Sequence, residues 1–218
     1  MGPCADGDRV TRLMPGSEPL YERLKSGLSL EQAPWPEDLG EARWPQAAVL
    51  VTLTDSARPE VLLGRRANHL PMHPGEVAFP GGKRESVDAT PWDTALREAE
   101  EEVGIAASVS VPLGELPPLI TRTGFEVHPC IAGVPAGLNL VVDPGEFDSV
   151  FYQPLDAFAD PGVFRVEPMS DGQRERMVPH YALGADNIWG VTAAILAQLA
   201  NVAYDAGLDL KRDWKLKP

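Results

Sequence analysis

The sequence predicts an α/β fold in which helices cover both faces of a mixed sheet. Three observations lead to this prediction: short runs of β-branched apolar residues, one well-capped helix in the middle of the chain, and an apolar helical segment near its end. Strands grouped around a central helix, with a further helix left over, are typical of a sheet packed between helical layers. The 218 residues suffice for one such domain with elaborations.

The first 44 residues are predicted to be an N-terminal extension, and residues 45–218 the main domain. The extension is rich in proline, glycine and charge. It contains one helical pattern, from Pro19 to Lys25, and a turn at Pro34-Trp35-Pro36. We expect it to pack on the core or to trail from it.

Short apolar runs predict the strands of the sheet. The first two flank a turn-forming segment, Asp55–Pro59, as in a hairpin, and the third leads into a glycine pair. The predicted strands are Ala47–Leu53, Val61–Arg65, Glu76–Phe79, Val109–Leu116 and Phe125–Val134. A packed C-terminal helix is predicted at Thr192–Ala206, because the uncharged stretch there is too short and too often interrupted for a membrane span.

The central helix has signals at both ends. Thr90 suits the N-cap, Pro91 suits the first helical position, and Asp93 completes a capping-box spacing. Gly104 supplies the stop. Apolar residues recur at three- and four-residue steps, which defines a side that faces the core. They are Trp92, Ala95, Leu96, Ala99 and Val103.

Glu98, Glu101 and Glu102 fall on a neighbouring face of this helix. Like charges at these spacings repel by roughly 0.2–0.5 kcal/mol per pair, and carboxylates in the last turn oppose the helix dipole. A divalent cation would supply the missing positive charge, and Mg²⁺ favours carboxylates, waters and phosphates. The charges alone favour a plain solvated acidic face, and the upstream pair Gly81-Gly82 shifts the balance toward a metal site.

The run from Gly82 to Ile105 resembles the Nudix box, and Arg97–Ile105 matches its second half at every specified position. In the first half, Asp88 stands where the box has glutamate. Eight residues instead of seven separate it from Arg97, which predicts a weakened or rerouted contact between the two side chains. The resemblance implies an α/β/α sandwich with a metal-binding loop-helix-loop.

Upstream, Leu70–Gly82 resembles the signature of the coenzyme A pyrophosphatase branch of that family, with Glu76 where the branch has glutamine. Relatives in the branch also show the aspartate with the longer loop. Thr123–Pro129, Glu146–Phe151 and Ile188–Ala193 lie in the order expected of that branch. The resemblance spans roughly residues 45–205.

This resemblance implies a diphosphatase that depends on Mg²⁺ or Mn²⁺. The implied metal ligands are Glu98, Glu101 (directly or through water), Glu102 and the carbonyl of Gly81. Arg97 is expected to orient the glutamates. The general base is either Glu101 or Glu146, and the sequence does not choose between them.

The net charge of −13 would repel phosphate polymers, and no basic stripe with interleaved aromatic residues occurs. Nucleic acid is therefore not an expected partner, and a small nucleotide diphosphate must be met by the metal and a few local cations. The candidate substrate contacts are Arg65, Arg66, His73 and Lys83. Each cation could equally be an ordinary surface residue, and His73 could simply cap a turn.

Cys4 and Cys130 are far apart and belong to no metal-binding spacing, so neither a disulfide framework nor a zinc site is expected. Cys130 is predicted to be a buried strand thiol. The N-terminal Met1–Asp8 lacks the apolar core of a signal peptide, which favours a cytoplasmic location. No membrane partner is expected, and a homodimer is left open.

The function that the resemblance favours is hydrolysis of coenzyme A or acyl-coenzyme A to 3′,5′-ADP and 4′-phosphopantetheine. The alternatives are hydrolysis of ADP-ribose, dinucleoside polyphosphates or NADH, and a Nudix-like nucleotide-binding module without catalysis. Thr121 stands where ADP-ribose enzymes of the family carry proline, and the motif of the NADH enzymes is missing. The presence of all three helix glutamates argues against an inactive module.

Overall fold

A computed structural model of the chain describes residues 18–30, 34–36, 43–170, 172, 174–210 and 215–216. Cys4 and Met1–Asp8 lie outside the described residues. The described helices are α1 (Glu18–Gly27), α2 (Pro91–Val103) and α3 (Gly190–Tyr204). The described strands are β1 (Gln46–Thr54), β2 (Glu60–Arg66), β3 (Val77–Ala78), β4 (Gly81–Lys83), β5 (Val111–Glu115), β6 (Leu119–Ile120), β7 (Glu126–Val134), β8 (Phe147–Pro154), β9 (Phe164–Ser170), β10 (Arg174–Leu183), β11 (Asp186–Trp189) and β12 (Lys215–Leu216).

Strands β1 to β8 form one mixed sheet with β1 near its centre. β1 runs parallel to β7 along its whole length, from Gln46 opposite Glu126 to Thr54 opposite Val134. It pairs antiparallel with β2 and β4, and β8 lies along the other edge of β2. The predicted hairpin of the first two strands is confirmed, and each predicted strand overlaps an observed one.

The sheet is packed between helices on both faces, which confirms the predicted α/β/α arrangement. Successive residues of β1 point to opposite faces, as the two-residue period of a strand requires. Ala48 and Leu50 join the apolar cluster of α2, whereas Val51 and Leu53 join the cluster of α1 and α3. Cys130 on β7 is a buried thiol, as predicted.

Two described parts of the N-terminal extension pack on the core. Leu20 and Leu24 on α1, and Leu28 directly after it, are buried in the cluster that contains α3. Trp35 is buried on the opposite face, in the cluster of α2. The division of the chain at residue 44 stays a prediction.

The ends of α2 follow the sequence signals. The Thr90 hydroxyl accepts a hydrogen bond from the backbone N–H of Asp93, and the Asp93 carboxylate accepts one from the backbone N–H of Thr90, a complete capping box. Gly104 ends the helix with φ of 74°, a left-handed conformation that favours glycine. The C-terminal helix α3 begins two residues before the predicted start. In the described part of the chain, no helix is long and apolar enough to cross a bilayer.

A second, antiparallel sheet lies beside the first, and sequence reasoning missed it. β10 pairs with β9 on one edge, and with β11 and β12 on the other. Pro168 and Pro179 lie within β9 and β10, and proline within a run argues against a strand. The Asp171-Gly172 pair between the two runs is a hairpin signal that could have revealed them.

Candidate active site

Asp88 and Arg97 form a clamp in front of α2. The Nε and one terminal nitrogen of Arg97 donate to the two oxygens of Asp88, at 3.2 and 3.0 Å. The carboxylate also accepts from the Thr94 hydroxyl at 3.0 Å and from the Glu85 backbone N–H at 2.8 Å. Burial by itself raises the pKa of Asp88, but the hydrogen bonds from Arg97, Glu85 and Thr94 outweigh it and leave the pKa below its usual value.

The predicted weakening of the contact between Asp88 and Arg97 is therefore wrong. The one additional residue between Asp88 and Arg97, relative to the Nudix box, lies before Pro91 and leaves the spacing of the helix residues unchanged. Asp88 is only 3% exposed and lies against Thr94, one turn into the helix, where the Arg97 side chain reaches both of its oxygens. The clamp is bidentate and charge-assisted, the stronger kind of ion pair.

Arg97 continues from this clamp to the glutamates. Its other terminal nitrogen donates to Glu98 at 3.0 Å and to Glu101 at 3.3 Å. The hydrogen bond to Asp88 contributes most to raising the pKa of the Arg97 guanidinium, and the guanidinium therefore stays charged. The structure thus places Arg97 in contact with two of the three glutamates predicted as metal ligands.

Glu98 lies directly over the glycine loop. A Cβ atom on Gly82 would come within 2.3 Å of Glu98 Oε1, so only glycine leaves room for this carboxylate. Burial raises the pKa of Glu98, and the contacts with Arg97 offset part of that effect. This close approach explains why a glycine is needed beside the glutamate helix.

Glu102 is the most deeply buried of the three glutamates, at 5% exposure. Its Oε2 accepts a hydrogen bond from the Gly81 backbone N–H at 2.8 Å. Burial raises the pKa of Glu102 to about 8, and the negative charges of Glu98 and Glu146 add to the rise against the opposing Gly81 bond. The carboxyl groups of Glu98, Glu102 and Glu146 therefore lie close enough to one another to interact electrostatically.

The two candidate bases lie in different surroundings. The Glu101 side chain is 61% exposed and is held by Arg97. Glu146 lies 3.8 Å from Arg66 and close enough to Glu98 and Glu102 to raise their pKa values. Glu146 thus belongs to the carboxylate cluster, whereas Glu101 lies at its exposed margin.

The donor set fits a hard divalent cation. Glu98 and Glu102 offer carboxylate oxygens beside the loop that carries Gly81, and a carboxylate whose pKa is raised by burial and like charge gains from a nearby cation. Within the described ranges, no three acidic, histidine or cysteine side chains converge into a ready-made cage. In the structure Arg97 engages Glu101, and the Gly81 N–H engages Glu102. The four predicted metal ligands stay predictions.

An open cleft of about 380 Å³ extends from the glycine loop to the second sheet. Three of the four predicted substrate contacts line it: Arg66, His73 and Lys83. His73 has φ of +57°, unusual outside glycine, and its Nδ1 lies 3.0 Å from Glu76 Oε1. Most of the lining is apolar, including Val49, Phe79, Phe125, Val127, Val191 and Ile195.

Arg65 does not line the cleft. Its guanidinium lies 2.7 Å from Asp186 and over the ring of Phe151. The structure therefore separates it from the other three residues, and a contact between Arg65 and substrate stays a prediction.

The far wall of the cleft contains residues that sequence reasoning did not select. Arg122 comes from the loop after β6, Arg176 from β10, and Trp189 from β11. Arg176 and Trp189 lie on neighbouring strands of the second sheet, and Arg122 comes from the first sheet, so packing between the two sheets brings them together. Two signals pointed to part of this wall: the hairpin signal at Asp171-Gly172 and the segment Ile188–Ala193, which contains Trp189.

The fold and this cluster define a class of protein: an enzyme built to handle a phosphate anhydride beside clustered carboxylates and a glycine loop. A family model described as the NUDIX domain matches residues 44–173, more than half of the 218 residues. The chain therefore belongs to the Nudix family. Its members are pyrophosphohydrolases that act on nucleoside diphosphates linked to a further group, and they use divalent metal ions.

Two curated relatives agree with this assignment, and one solved structure is reported beside them. An uncharacterized Nudix hydrolase, NudL, from Enterobacter sp. (strain 638) is 39% identical over 160 residues, which covers 71% of this chain and 81% of that protein. NudL from Yersinia pestis (strain Pestoides F) is 40% identical over 158 residues, covering 71% and 78%. The crystal structure of DR0079 from Deinococcus radiodurans has 15% identity and a TM-score of 0.47, over 75% of this chain and 86% of that one.

Proposed function

We propose that the chain hydrolyses the diphosphate of coenzyme A to 3′,5′-ADP and 4′-phosphopantetheine, or that of an acyl-coenzyme A to 3′,5′-ADP and the acylated 4′-phosphopantetheine. The observation that carries this proposal is a cleft with two kinds of surface. It includes the glycine loop, whose Gly81 and Gly82 lie directly against Glu102 and Glu98, and it continues over a mostly apolar lining that also holds basic side chains. Coenzyme A has a diphosphate, an additional 3′-phosphate and a long uncharged arm. Such a ligand would use all of these surfaces at once.

The basic residues support recognition of the phosphates. Arg66, Lys83, Arg122 and Arg176 all line the cleft of a protein whose net charge is −13. Because the protein as a whole is strongly negative, these cations would attract a polyanionic ligand only at short range, next to the proposed position of the diphosphate. Glu76, an acid in the same cleft, is engaged by His73.

Glu98 and Glu102 would hold the divalent cation, proposed to be Mg²⁺ or Mn²⁺, with the Gly81 carbonyl. The cation would neutralise charge on the diphosphate oxygens and polarise the attacking water. Arg97 keeps Glu98 in place through the Asp88 clamp. The observed positions of Arg97, Glu98 and Glu102 next to the glycine loop support these proposed roles.

We assign the general base to Glu146 and not to Glu101. The Glu146 side chain is 39% exposed, lies 3.8 Å from Arg66 of the cleft and is close enough to Glu98 and Glu102 to raise their pKa values, whereas Glu101 is 61% exposed and held by Arg97. A base must reach the water at the diphosphate to take its proton. Glu146→Gln should therefore lower turnover more than Glu101→Gln does, and the reverse order would reassign the base.

Parallel kinetics with coenzyme A, dephospho-coenzyme A and ADP-ribose, each with Mg²⁺, test the substrate. Charge-assisted contacts to the 3′-phosphate contribute about 1.5–3 kcal/mol, so dephospho-coenzyme A should react about ten- to hundredfold less efficiently. A preference for ADP-ribose would remove the coenzyme A assignment and keep the diphosphatase.

A second candidate is hydrolysis of a less charged substrate of the ADP-ribose or dinucleotide type. The carboxylate of Glu76 in the cleft favours it, because a further negative charge opposes a third phosphate group. Glu76→Gln separates the two: it should improve the KM for coenzyme A more than the KM for ADP-ribose if the 3′-phosphate binds nearby.

We also propose a cytoplasmic location. Cell fractionation tests it. Light scattering would measure separately whether the protein forms a dimer.

A further inference from the structure

Trp35 lies outside the matched segment 44–173 but is buried beneath α2, at 5% exposure. Its backbone N–H donates to the carbonyl of Ala89, just before the helix, at 2.9 Å. The Arg84 guanidinium lies 5.6 Å from the centre of its ring, and the His128 ring meets it edge-on at 4.6 Å. The indole is therefore fixed from several sides.

The indole N–H begins a chain of hydrogen bonds that ends at a glutamate. It donates to the Thr94 hydroxyl at 3.3 Å, and that hydroxyl donates to Asp88 Oδ2 at 3.0 Å. Asp88 accepts two bonds from Arg97, and Arg97 donates to Glu98 at 3.0 Å. Every link between Trp35 and Glu98 is thus a direct contact.

The indole controls where the Thr94 proton points. An indole N–H can only donate, and an ionised carboxylate can only accept. The Thr94 hydroxyl lies between them, so its oxygen accepts from Trp35 and its single proton is donated to Asp88. Without the indole bond, no hydrogen bond among the described residues holds the Thr94 oxygen on that side, and in a helix the hydroxyl can instead donate to the carbonyl four residues earlier.

We propose that Trp35 is a positioning residue for the metal site, acting through Thr94 to fix the Asp88 carboxylate that holds Arg97 against Glu98. Asp88 is one methylene shorter than the glutamate of the family pattern, so its position depends more on neighbouring donors. Trp35 and Thr94 supply this support from outside the glycine loop. The inference rests on the metal role proposed for Glu98 and Glu102.

The test measures binding of Mn²⁺ alone by electron paramagnetic resonance, without turnover, in the full chain. Trp35→Phe keeps an aromatic ring and removes the N–H, and Thr94→Val keeps the shape and removes the hydroxyl. Each should weaken Mn²⁺ binding about fivefold, less than the 10- to 100-fold typical when a group bonded to a metal ligand is removed. The double variant should be no weaker than Thr94→Val, because both changes break one pathway.

Trp92→Phe is the matched control. Trp92 is buried in the same cluster and, among the described residues, makes no hydrogen bond to Asp88 or Thr94. It should lower the melting temperature about as much as Trp35→Phe does, with Mn²⁺ affinity unchanged. Additive losses in the double variant, equal weakening by Trp92→Phe, or wild-type affinity in Trp35→Phe would each overturn the inference.

A second measurement does not involve metal. The Arg97 Nε–H signal in nuclear magnetic resonance, assigned by its loss in Arg97→Lys, should exchange with solvent faster in Trp35→Phe and Thr94→Val than in Trp92→Phe. Unchanged exchange contradicts the inference. If the protein binds Mn²⁺ with this pattern but cleaves no diphosphate, the proposed function fails and the role of Trp35 stands.

Discussion

The two walls of the cleft are built in different ways. The near wall is the glycine loop, backed by α2. Loop and helix come from one short stretch of sequence and are joined by polar contacts such as that between the Gly81 N–H and Glu102. The far wall combines the loop after β6, β10, β11 and the start of α3, and it mixes apolar side chains such as Val191 and Ile195 with Arg122 and Arg176. Under the proposed function, the near wall would carry the chemistry and the far wall would recognise the substrate.

This difference predicts different kinetic effects for the two walls. Substitutions in the near wall should lower kcat, because the side chains there are proposed to act on the reacting diphosphate. Substitutions in the far wall should raise KM with little change in kcat.

The largest expected effect is in the near wall. Glu98→Gln or Glu102→Gln should lower kcat with Mg²⁺ by at least about 10²-fold, roughly 2.7 kcal/mol of transition-state stabilisation, with folding preserved. Glu100→Gln, the same change at an exposed position of α2, is the control and should stay near wild type. Near-normal turnover in either test variant contradicts the metal-binding role.

Asp88→Ala should have the next largest effect, about tenfold or more in kcat, because it frees Arg97 and leaves a partly buried guanidinium without its main partner. It should also lower the melting temperature. Steady-state kinetics and thermal unfolding measure both. Asp88→Glu restores the residue of the family pattern and should retain more activity than Asp88→Ala; equal activity in all three proteins would show that the clamp is dispensable.

In the far wall, Arg122→Met should raise the KM for coenzyme A about tenfold or more and change kcat little, since a charge-assisted contact contributes about 1.5–3 kcal/mol. Arg58→Met is the control, because Arg58 pairs with Asp156 outside the cleft. A drop in kcat without a rise in KM would break the distinction between the two walls.

The smallest expected effect is on stability and follows from the raised pKa of Glu102, about 8. The folded state holds this proton more tightly than the unfolded chain, so without metal Glu102 lowers the stability progressively as pH rises from about 4.5 to 8. Glu102→Gln removes the penalty and should raise the melting temperature at pH 8 by a few degrees, on the order of 5 °C. At pH 4.5 the two proteins should melt alike, and an equal difference at both pH values would contradict the shift.

Local signals predicted the near wall well. The cap residues of α2, its apolar side and the glycine loop all depend on neighbours within about one or two turns, which the sequence displays directly. The sequence predicted a weakened or rerouted contact between Asp88 and Arg97, because aspartate is shorter than glutamate. Thr94 and Glu85 also donate to Asp88, and these two contacts depend on how the loop packs against α2, which spacing in the sequence does not show.

The far wall could not be predicted in the same way. β9 and β10 pair with each other as a hairpin, but each carries an internal proline, which argued against a strand at both places. Arg122 and Trp189 belong to the cleft only because β6 and β11 bring them there. Trp35 was identified as part of a turn, and its contact with Thr94 joins positions 59 residues apart.

The most direct test of the central claim, that one cleft binds coenzyme A by its far wall and cleaves it at its near wall, is product analysis. Coenzyme A incubated with the wild-type protein and Mg²⁺ should yield equal amounts of 3′,5′-ADP and 4′-phosphopantetheine by chromatography. Glu102→Gln should yield almost none, and Arg122→Met should yield both products at high substrate concentration. Intact coenzyme A after incubation with wild type, or equal product from Glu102→Gln, would contradict the account.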